Sequence, residues 1–345
     1  MSPTTLDPAP AELVAPDGTV AFGNGAGAIA DINWEAFDYR VLARAPWTWT
    51  RGGARKLFKR WQFVGAVDAD LVIGAAVAHV QYLGTGFAYV FDRRSGRLAQ
   101  HNLKAPLARR TAFSRSPVDG TSEIAGGGGR IVLDNTVRDG HRSVQVDFGE
   151  ALQVRLRLAE PGTGVSTTCP QGNEGFHYTY KSAGLTVEGE VVVDGETTRL
   201  GDEALALFDW TASTPPRQTT WNWACGAGRD AQGKPVGLNF SRGLVGGPFS
   251  QNAIWLDGEP HIVGPANFAY DPQDIAGHPW RLTTADGLVD LAFTPVAERH
   301  EDIDLFLVAS GLHQPFGEFE GTFLRDGGPV PIRAYGFCEQ HYAKW

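Results

Sequence analysis

Leu185-Thr-Val-Glu-Gly-Glu-Val-Val-Val-Asp-Gly-Glu-Thr-Thr-Arg-Leu200 reads as two strands joined by an Asp194-Gly195 turn. Asp-Gly supplies the positive φ angles that a two-residue hairpin turn requires. The pattern recurs along the chain. Ala253–Leu256 passes through Asp257-Gly258 into Glu259–Val263, and Trp280–Thr284 passes through Asp286-Gly287 into Leu288–Phe293. Upstream, Leu152, Val154, Leu156 and Leu158 alternate with Gln153, Arg155 and Arg157, while Val144, Val146 and Phe148 alternate with Gln145 and Asp147. A side-chain period of two with one apolar set predicts half-buried antiparallel strands. The helical template fits few windows, and residues 31–39 and 51–61 hold one or two turns at most. Short strands at regular spacing predict an all-β chain, built as two packed antiparallel β-barrel or sandwich domains with few short helices.

A chain of 345 residues is longer than one core usually serves, and its 42% hydrophobic content is enough for two. The polar, turn-rich stretch Glu160–Gly175 is the expected boundary, giving domains over 1–175 and 176–345. The Gly126–Gly129 run reads as a hairpin tip, because the β-like Ile131-Val-Leu-Asp that follows supplies no helix for a phosphate loop. The net charge of −9 and the lack of a basic stripe argue against nucleic acid as a partner. One basic run, Arg51, Arg55, Lys56, Lys59 and Arg60, is expected to be solvated, with an anion clamp beside a pocket as the alternative. Cys169, Cys225 and Cys338 are odd in number and far apart, which fits neither a disulfide framework nor zinc spacing. Free thiols fit a reducing, cytoplasmic setting. The N-terminus lacks the basic-then-apolar order of a secretory signal, and no apolar run is long enough to span a bilayer as a helix. Nothing in the sequence sets the oligomeric state.

The residues with chemical potential lie mostly in the second half. Thr220-Trp-Asn-Trp-Ala-Cys-Gly226 puts Trp221, Trp223 and Cys225 on one strand face and Asn222 on the other. Asn222, Asn239 and Asn252 sit in or at strands, where Asn is depleted, so they either satisfy backbone groups at irregularities or bond a ligand. Trp221, Trp223 and Trp255 either fill a core or wall an apolar cavity. Asp209 shares a parity with Leu205 and Leu207, and Glu339 with Tyr335, Phe337 and His341. A carboxyl carried inward beside aromatics is desolvated and its pKa rises, which suits a general acid. The alternative is an acid paired with a nearby cation. For Asp209 the inward direction stays open, since Ala204, Ala206 and Phe208 are apolar as well. His177-Tyr-Thr-Tyr-Lys181 follows the expected boundary and is placed to face the interface between domains, with His177, Tyr180 and Lys181 as candidate contacts. His313 lies in a turn-like apolar run. With no H-E-x-x-H, G-x-S-x-G or paired-His spacing, neither metal nor cofactor is expected.

Taken together, several segments resemble an uncharacterised, mostly bacterial family, the domain of unknown function 2804. They are Lys59-Arg-Trp61, Tyr178-Thr-Tyr-Lys-Ser-Ala-Gly184, Phe208-Asp-Trp210, Trp221-Asn-Trp223, Gly237-Leu-Asn239, Asn252-Ala-Ile-Trp-Leu-Asp-Gly258, Pro279-Trp-Arg281, His313-Gln314 with Phe316-Gly317, and Gly336-Phe337 with Glu339 and His341. Gln251 stands where the pattern has an acid and Pro315 where it has an aliphatic residue. The family is distantly similar to two-domain lipocalin-like proteins that include carotenoid 1,2-hydratases and cyclases. The resemblance implies a pocket within a barrel or between domains that takes a hydrophobic small molecule. The expected function is a cofactor-independent lyase or isomerase catalysing hydration, cyclisation or isomerisation, with Asp209 or Glu339 as proton donor. Asn222, Asn239 and Asn252 would orient the substrate, and the tryptophans would wall the cavity. Two alternatives stay open: a carrier holding a lipid or isoprenoid without reaction, and a carbohydrate-active or carbohydrate-binding protein.

Overall fold

The computed structural model describes residues 6–42, 57–159, 163–172, 175–246, 248–305 and 308–345. The first sheet and its branches comprise β1 (Gly23–Ala26), β2 (Lys59–Val67), β3 (Leu71–His79), β4 (Leu83–Asp92), β5 (Arg97–Pro106), β6 (Thr111–Ala112), β7 (Thr121–Gly126), β8 (Gly129–Arg138), β9 (His141–Asp147), β10 (Leu152–Ala159), β11 (Val165–Gln171), β12 (Gly175–Val193), β13 (Glu196–Arg199) and β14 (Leu205–Ser213). The second sheet comprises β15 (Gln218–Arg229), β16 (Pro235–Arg242), β17 (Ala253–Leu256), β18 (Glu259–Ile262), β19 (Ala266–Ala269), β20 (Trp280–Thr284), β21 (Val289–Leu305), β22 (Val308–Arg325) and β23 (Gly328–Lys344). Two single turns of 3-10 helix, Trp34–Ala36 and Tyr39–Leu42, precede β2. The all-β expectation holds.

The first sheet runs β5-β4-β3-β2-β14-β12-β10-β9-β8-β7-β6, and its two ends approach each other where β5 meets β7, so the barrel is nearly closed. The second sheet runs β18-β17-β16-β15-β23-β22-β21-β20-β19 as a half-barrel. The chain changes sheet between Ser213 and Gln218. Within the stretch Glu160–Gly175, β11 pairs with β12 in the first sheet.

The Asp-Gly hairpins form where the sequence put them. Asp194 and Gly195, and Asp257 and Gly258, all have positive φ, as a two-residue turn between right-twisted strands demands. The third turn is wider: Thr284 and Val289 bracket it, and only Gly287 takes positive φ. Gly127 and Gly128 form the expected tip between β7 and β8. Of the span 51–61, expected to hold one or two helical turns at most, residues 51–56 lie outside the described residues, Leu57 is in a 3-10 turn, and at Lys59 the chain is no longer helical but opens β2. Lys59 is not solvated either. It is 3% exposed and donates to the Val80 carbonyl.

Two local irregularities direct the rest. Gly184, at φ 78°, forms a bulge in β12 between Ala183 and Leu185. The first half of β12 thereby pairs with β11, and the second half with β10. A second bulge at Val296 in β21 shifts the register against β22 by one residue. Because side chains alternate, one inserted residue exchanges the two faces. Phe293 points into the second core, and beyond the bulge Ala297, Arg299 and Glu301 take the other face.

Three cores result. One fills the first barrel with Trp210, Tyr178, Phe176 and their neighbours; one fills the half-barrel with Trp280, Phe293 and Phe319. The third lies between the sheets and joins Phe63, Tyr89, Phe91 and Leu207 of the first to Trp223, Trp255, Phe316 and Phe337 of the second. Every residue of β14 is buried, because both of its faces are covered.

Candidate functional site

The seam between the sheets is where most of the candidate residues meet. From β12 come His177, Thr179 and Lys181, and from β14 Asp209, Thr211 and Ser213, all on the parity that leaves Tyr178 and Trp210 inside the barrel. Facing them, β15 supplies Trp221, Trp223 and Cys225, β16 supplies Asn239, and β23 supplies Phe337, Glu339 and His341. Both faces of β14 are apolar in sequence because each abuts a different core. The direction of Asp209 is therefore set by which sheet packs outside the barrel.

Lys181 and Asp209 stand opposite each other across the β12–β14 ladder, with Lys181 Nζ 2.7 Å from Asp209 Oδ1. Their side chains are 7% and 2% exposed. The Thr211 hydroxyl donates to the same oxygen at 3.0 Å and the Thr179 hydroxyl at 3.3 Å. The Lys181 ammonium also sits 4.7 Å from the centre of the Trp223 ring. Such a pair is dry, and its internal hydrogen bonds offset much of the cost of desolvating two charges. His177 is 1% exposed and bonds Ser213 Oγ at 3.1 Å, while its Nε2 has no partner among the described residues. Burial first, and the Lys181 charge second, hold its pKa down to about 3, so this imidazole is neutral.

Glu339 is held differently. Trp221 Nε1 donates to one carboxylate oxygen at 2.9 Å and Gln314 Nε2 to the other at 2.9 Å. His341 approaches the first oxygen at 3.4 Å through Nδ1 and meets Ser310 through Nε2. The Trp221 and His341 rings lie 4.2 Å apart and are partly exposed, forming the rim. Deeper in, several polar atoms have no partner among the described residues: Tyr89 Oη, Gln314 Oε1, and Nε and Nη1 of Arg299. Arg299 is 1% exposed, packs on the Phe87 ring at 4.1 Å, and reaches Glu301 at 3.3 Å. Burial holds the Tyr89 hydroxyl in its protonated form. The Tyr89 ring stacks on Phe87, which carries Arg299, and Arg299 stands opposite Gln314, the donor to Glu339. Burial likewise pushes the Cys225 thiol up to about 12.

Other candidates fall elsewhere or are already engaged. Tyr180 points into the first barrel against Phe208. Asn222 takes the inner face of the second sheet and donates to Tyr270 Oη, and His313 takes that face too, bonding Glu298 at 2.6 Å. Asn239 accepts from Trp223 Nε1 and donates to the Gln251 carbonyl. Asn252 joins Ser241 to the Gly264 carbonyl. Trp255 donates to the Thr163 carbonyl, and Trp223 packs edge to face on Phe63 and Phe337. These amides and indoles brace the seam. Sequence reading missed Tyr89, Arg299 and Gln314. Arg299 is one of three charges in Glu298-Arg-His-Glu301, which reads as an exposed edge.

A recess of about 390 Å³ opens at one end of the seam, floored by Val67, Leu205, Ala227 and Tyr335 and rimmed by Arg93, Arg229, Glu203 and Glu318. Four residues at about 3.3 Å each separate Tyr335 from Glu339, roughly 13 Å, with Phe337 between them. A second recess, of about 820 Å³, lies over β8 to β10 among Arg138, Arg155, Arg157 and Arg199, away from the candidate residues. No helix among the described residues is long and apolar enough to cross a membrane.

The two-sheet fold has solved counterparts. A Nitrosomonas europaea protein provisionally assigned as AttH is 17% identical, with TM-score 0.51 over 82% of this chain and 92% of that one. Kievitone hydratase from Nectria haematococca is 12% identical, with TM-score 0.47 over 82% and 88%. CghA with Sch210972 is 9% identical, with TM-score 0.48 over 84% and 89%. A search of curated proteins returned no match. The segments that carried the family resemblance, from the Tyr178–Gly184 strand to the Glu339 and His341 positions, lie within a profile match spanning residues 7–345, and the chain belongs to the family of the domain of unknown function DUF2804.

Proposed function

We propose that the seam binds a hydrophobic small molecule and carries out cofactor-independent proton transfer on it, as a lyase or isomerase performing hydration, cyclisation or isomerisation. One observation carries the reading. Tyr89 Oη, Gln314 Oε1 and two nitrogens of Arg299 are buried without partners among the described residues, along the chain of contacts that runs from Glu339 through Gln314, Arg299 and Phe87 to Tyr89. Buried polar groups are ordinarily satisfied, and each orphan costs about 1–3 kcal/mol, so a cluster of them calls for a guest or ordered water. Glu339 is the proton-carrying group, steadied by Trp221 and Gln314, with His341 linking it to the rim. Lys181 and Asp209 fix the charge on the opposite wall, and the aromatic faces stabilise a developing cation. Guests enter past Trp221 and His341 or from the Tyr335 recess. The buried, unbridged thiols support a reducing, cytoplasmic setting.

The carrier reading is favoured by a separate fact: the innermost ion pair, Lys181 with Asp209, is already matched internally. Trp223 and Trp255 are 9% and 1% exposed, which does not supply the open stacking platform a sugar needs. Mass spectrometry of organic extracts from wild type and Glu339→Gln separates the first two readings. The enzyme reading expects an apolar guest in both, with the variant's guest an isomer of the wild type's or differing by the elements of water. Identical guests make the protein a carrier. No guest in either protein, with no quenching of tryptophan fluorescence by apolar probes, ends the ligand reading.

A further inference from the structure

On the opposite face of the second sheet, Glu298, His300 and His313 place a carboxylate oxygen and two imidazole nitrogens all within 4.8 Å of one another. The arrangement is built by the ladder. His300 and His313 are directly paired across β21 and β22, and their ring centroids are 4.3 Å apart. Glu298, two residues before His300, shares its face, and its Oε1 lies 2.6 Å from His313 Nδ1. The Val296 bulge is what turns this set away from the seam. Arg299 and Gln314, the intervening residues, point the other way.

We infer that Glu298, His300 and His313 form a binding site for a divalent first-row transition-metal ion. Two imidazoles and one carboxylate are the donor set that zinc, cobalt or nickel accepts, and three protein ligands leave a coordination position open to water. Donors about 2.1 Å from a zinc ion stand roughly 3.4 Å from one another in a tetrahedron. Small side-chain rotations therefore convert the present spacing into a coordination shell. Two adjacent strands of a continuous sheet hold the three Cα positions, so little ordering is left for the ion to impose. In sequence the three ligands appear as an E-x-H and a distant His, and only the strand pairing joins them. The site is independent of the seam chemistry, since no seam residue supplies a ligand.

The test uses the full chain stripped of metal by chelator and dialysed. Zn²⁺ is titrated by calorimetry and Co²⁺ by visible absorption. The expected result is one saturable site with Kd of about 10 μM or tighter, with Co²⁺ bands in the d–d region. His300→Ala, His313→Ala and Glu298→Gln each weaken binding at least about tenfold, while His278→Ala, at another surface histidine, leaves it unchanged. His300 is exposed, so its substitution spares the fold, as circular dichroism will verify. Absence of saturable binding below about 1 mM, or binding that survives His300→Ala, overturns the assignment.

Discussion

Replacing Lys181 by Met leaves the Asp209 carboxylate in a site where it is 2% exposed, with the Thr179 and Thr211 hydroxyls as its side-chain donors among the described residues. Replacing Asp209 by Leu leaves the Lys181 ammonium, 7% exposed, with the Trp223 face as its remaining counterpart. Removing one member of a buried pair costs about 3–5 kcal/mol, because an uncompensated charge remains. In a chain of this size, with each kcal/mol worth about 2 °C, either single change lowers Tm by about 6–10 °C. The double variant Lys181→Met/Asp209→Leu removes both charges and keeps comparable volume. Thr179 and Thr211 still satisfy each other at 2.8 Å. The double variant is therefore expected to be more stable than either single, by about 2 kcal/mol or more. The assay is thermal and urea unfolding of all four proteins, followed by tryptophan fluorescence and far-ultraviolet dichroism. If both singles lose less than about 1 kcal/mol, the pair behaves like a solvated surface bridge. The seam would then be wet, and the argument from dry, matched charges would fall.

Further outcomes follow from neighbouring features. Gly237→Ala would place a Cβ 2.4 Å from the Ala183 backbone across the seam, and should destabilise the protein by roughly 3 kcal/mol in urea melts while leaving secondary structure intact. His177 has its pKa depressed from 6.5 to about 3, so below pH 6.5 the unfolded chain takes up a proton that the folded chain refuses. Stability should fall as pH drops from about 6.5 towards 4, by at most about 1.4 kcal/mol per pH unit from this residue, and His177→Gln should flatten that slope in pH-dependent unfolding. Cys225 has its thiol pushed up to about 12 and, like Cys338 and Cys169, is buried. All three should resist Ellman's reagent at pH 8 in the folded protein and react on unfolding; rapid labelling of native protein would contradict the burial.

The family resemblance and the tryptophan-bearing strands singled out the strands that line the seam, where several of the side chains prove to hold one another. Trp223, Trp255, Asn239 and Asn252 were legible as unusual, since large indoles and strand amides demand explanation. What they do was not legible, because the partners that satisfy them, such as the Gln251 and Thr163 carbonyls, come from other strands. Tyr89 and Arg299 escaped notice for a related reason. Tyr89 shares its strand face with Phe87 and Phe91 and reads as core, while Arg299 is turned inward by a bulge that no residue type announces.

The sequence by itself determined the local geometry. Alternating apolar residues fix strands and their faces, and Asp-Gly pairs fix hairpins, since both depend only on backbone torsions and near neighbours. The tertiary structure decided which face of a doubly apolar strand meets which core, and therefore that Asp209 meets Lys181 at the seam. It also decided that a one-residue shift in β21 sends Arg299 to one side and Glu298 and His300 to the other. These outcomes depend on contacts between residues far apart in the chain and on a register offset of one residue, and neither is encoded in a window of alternating side chains.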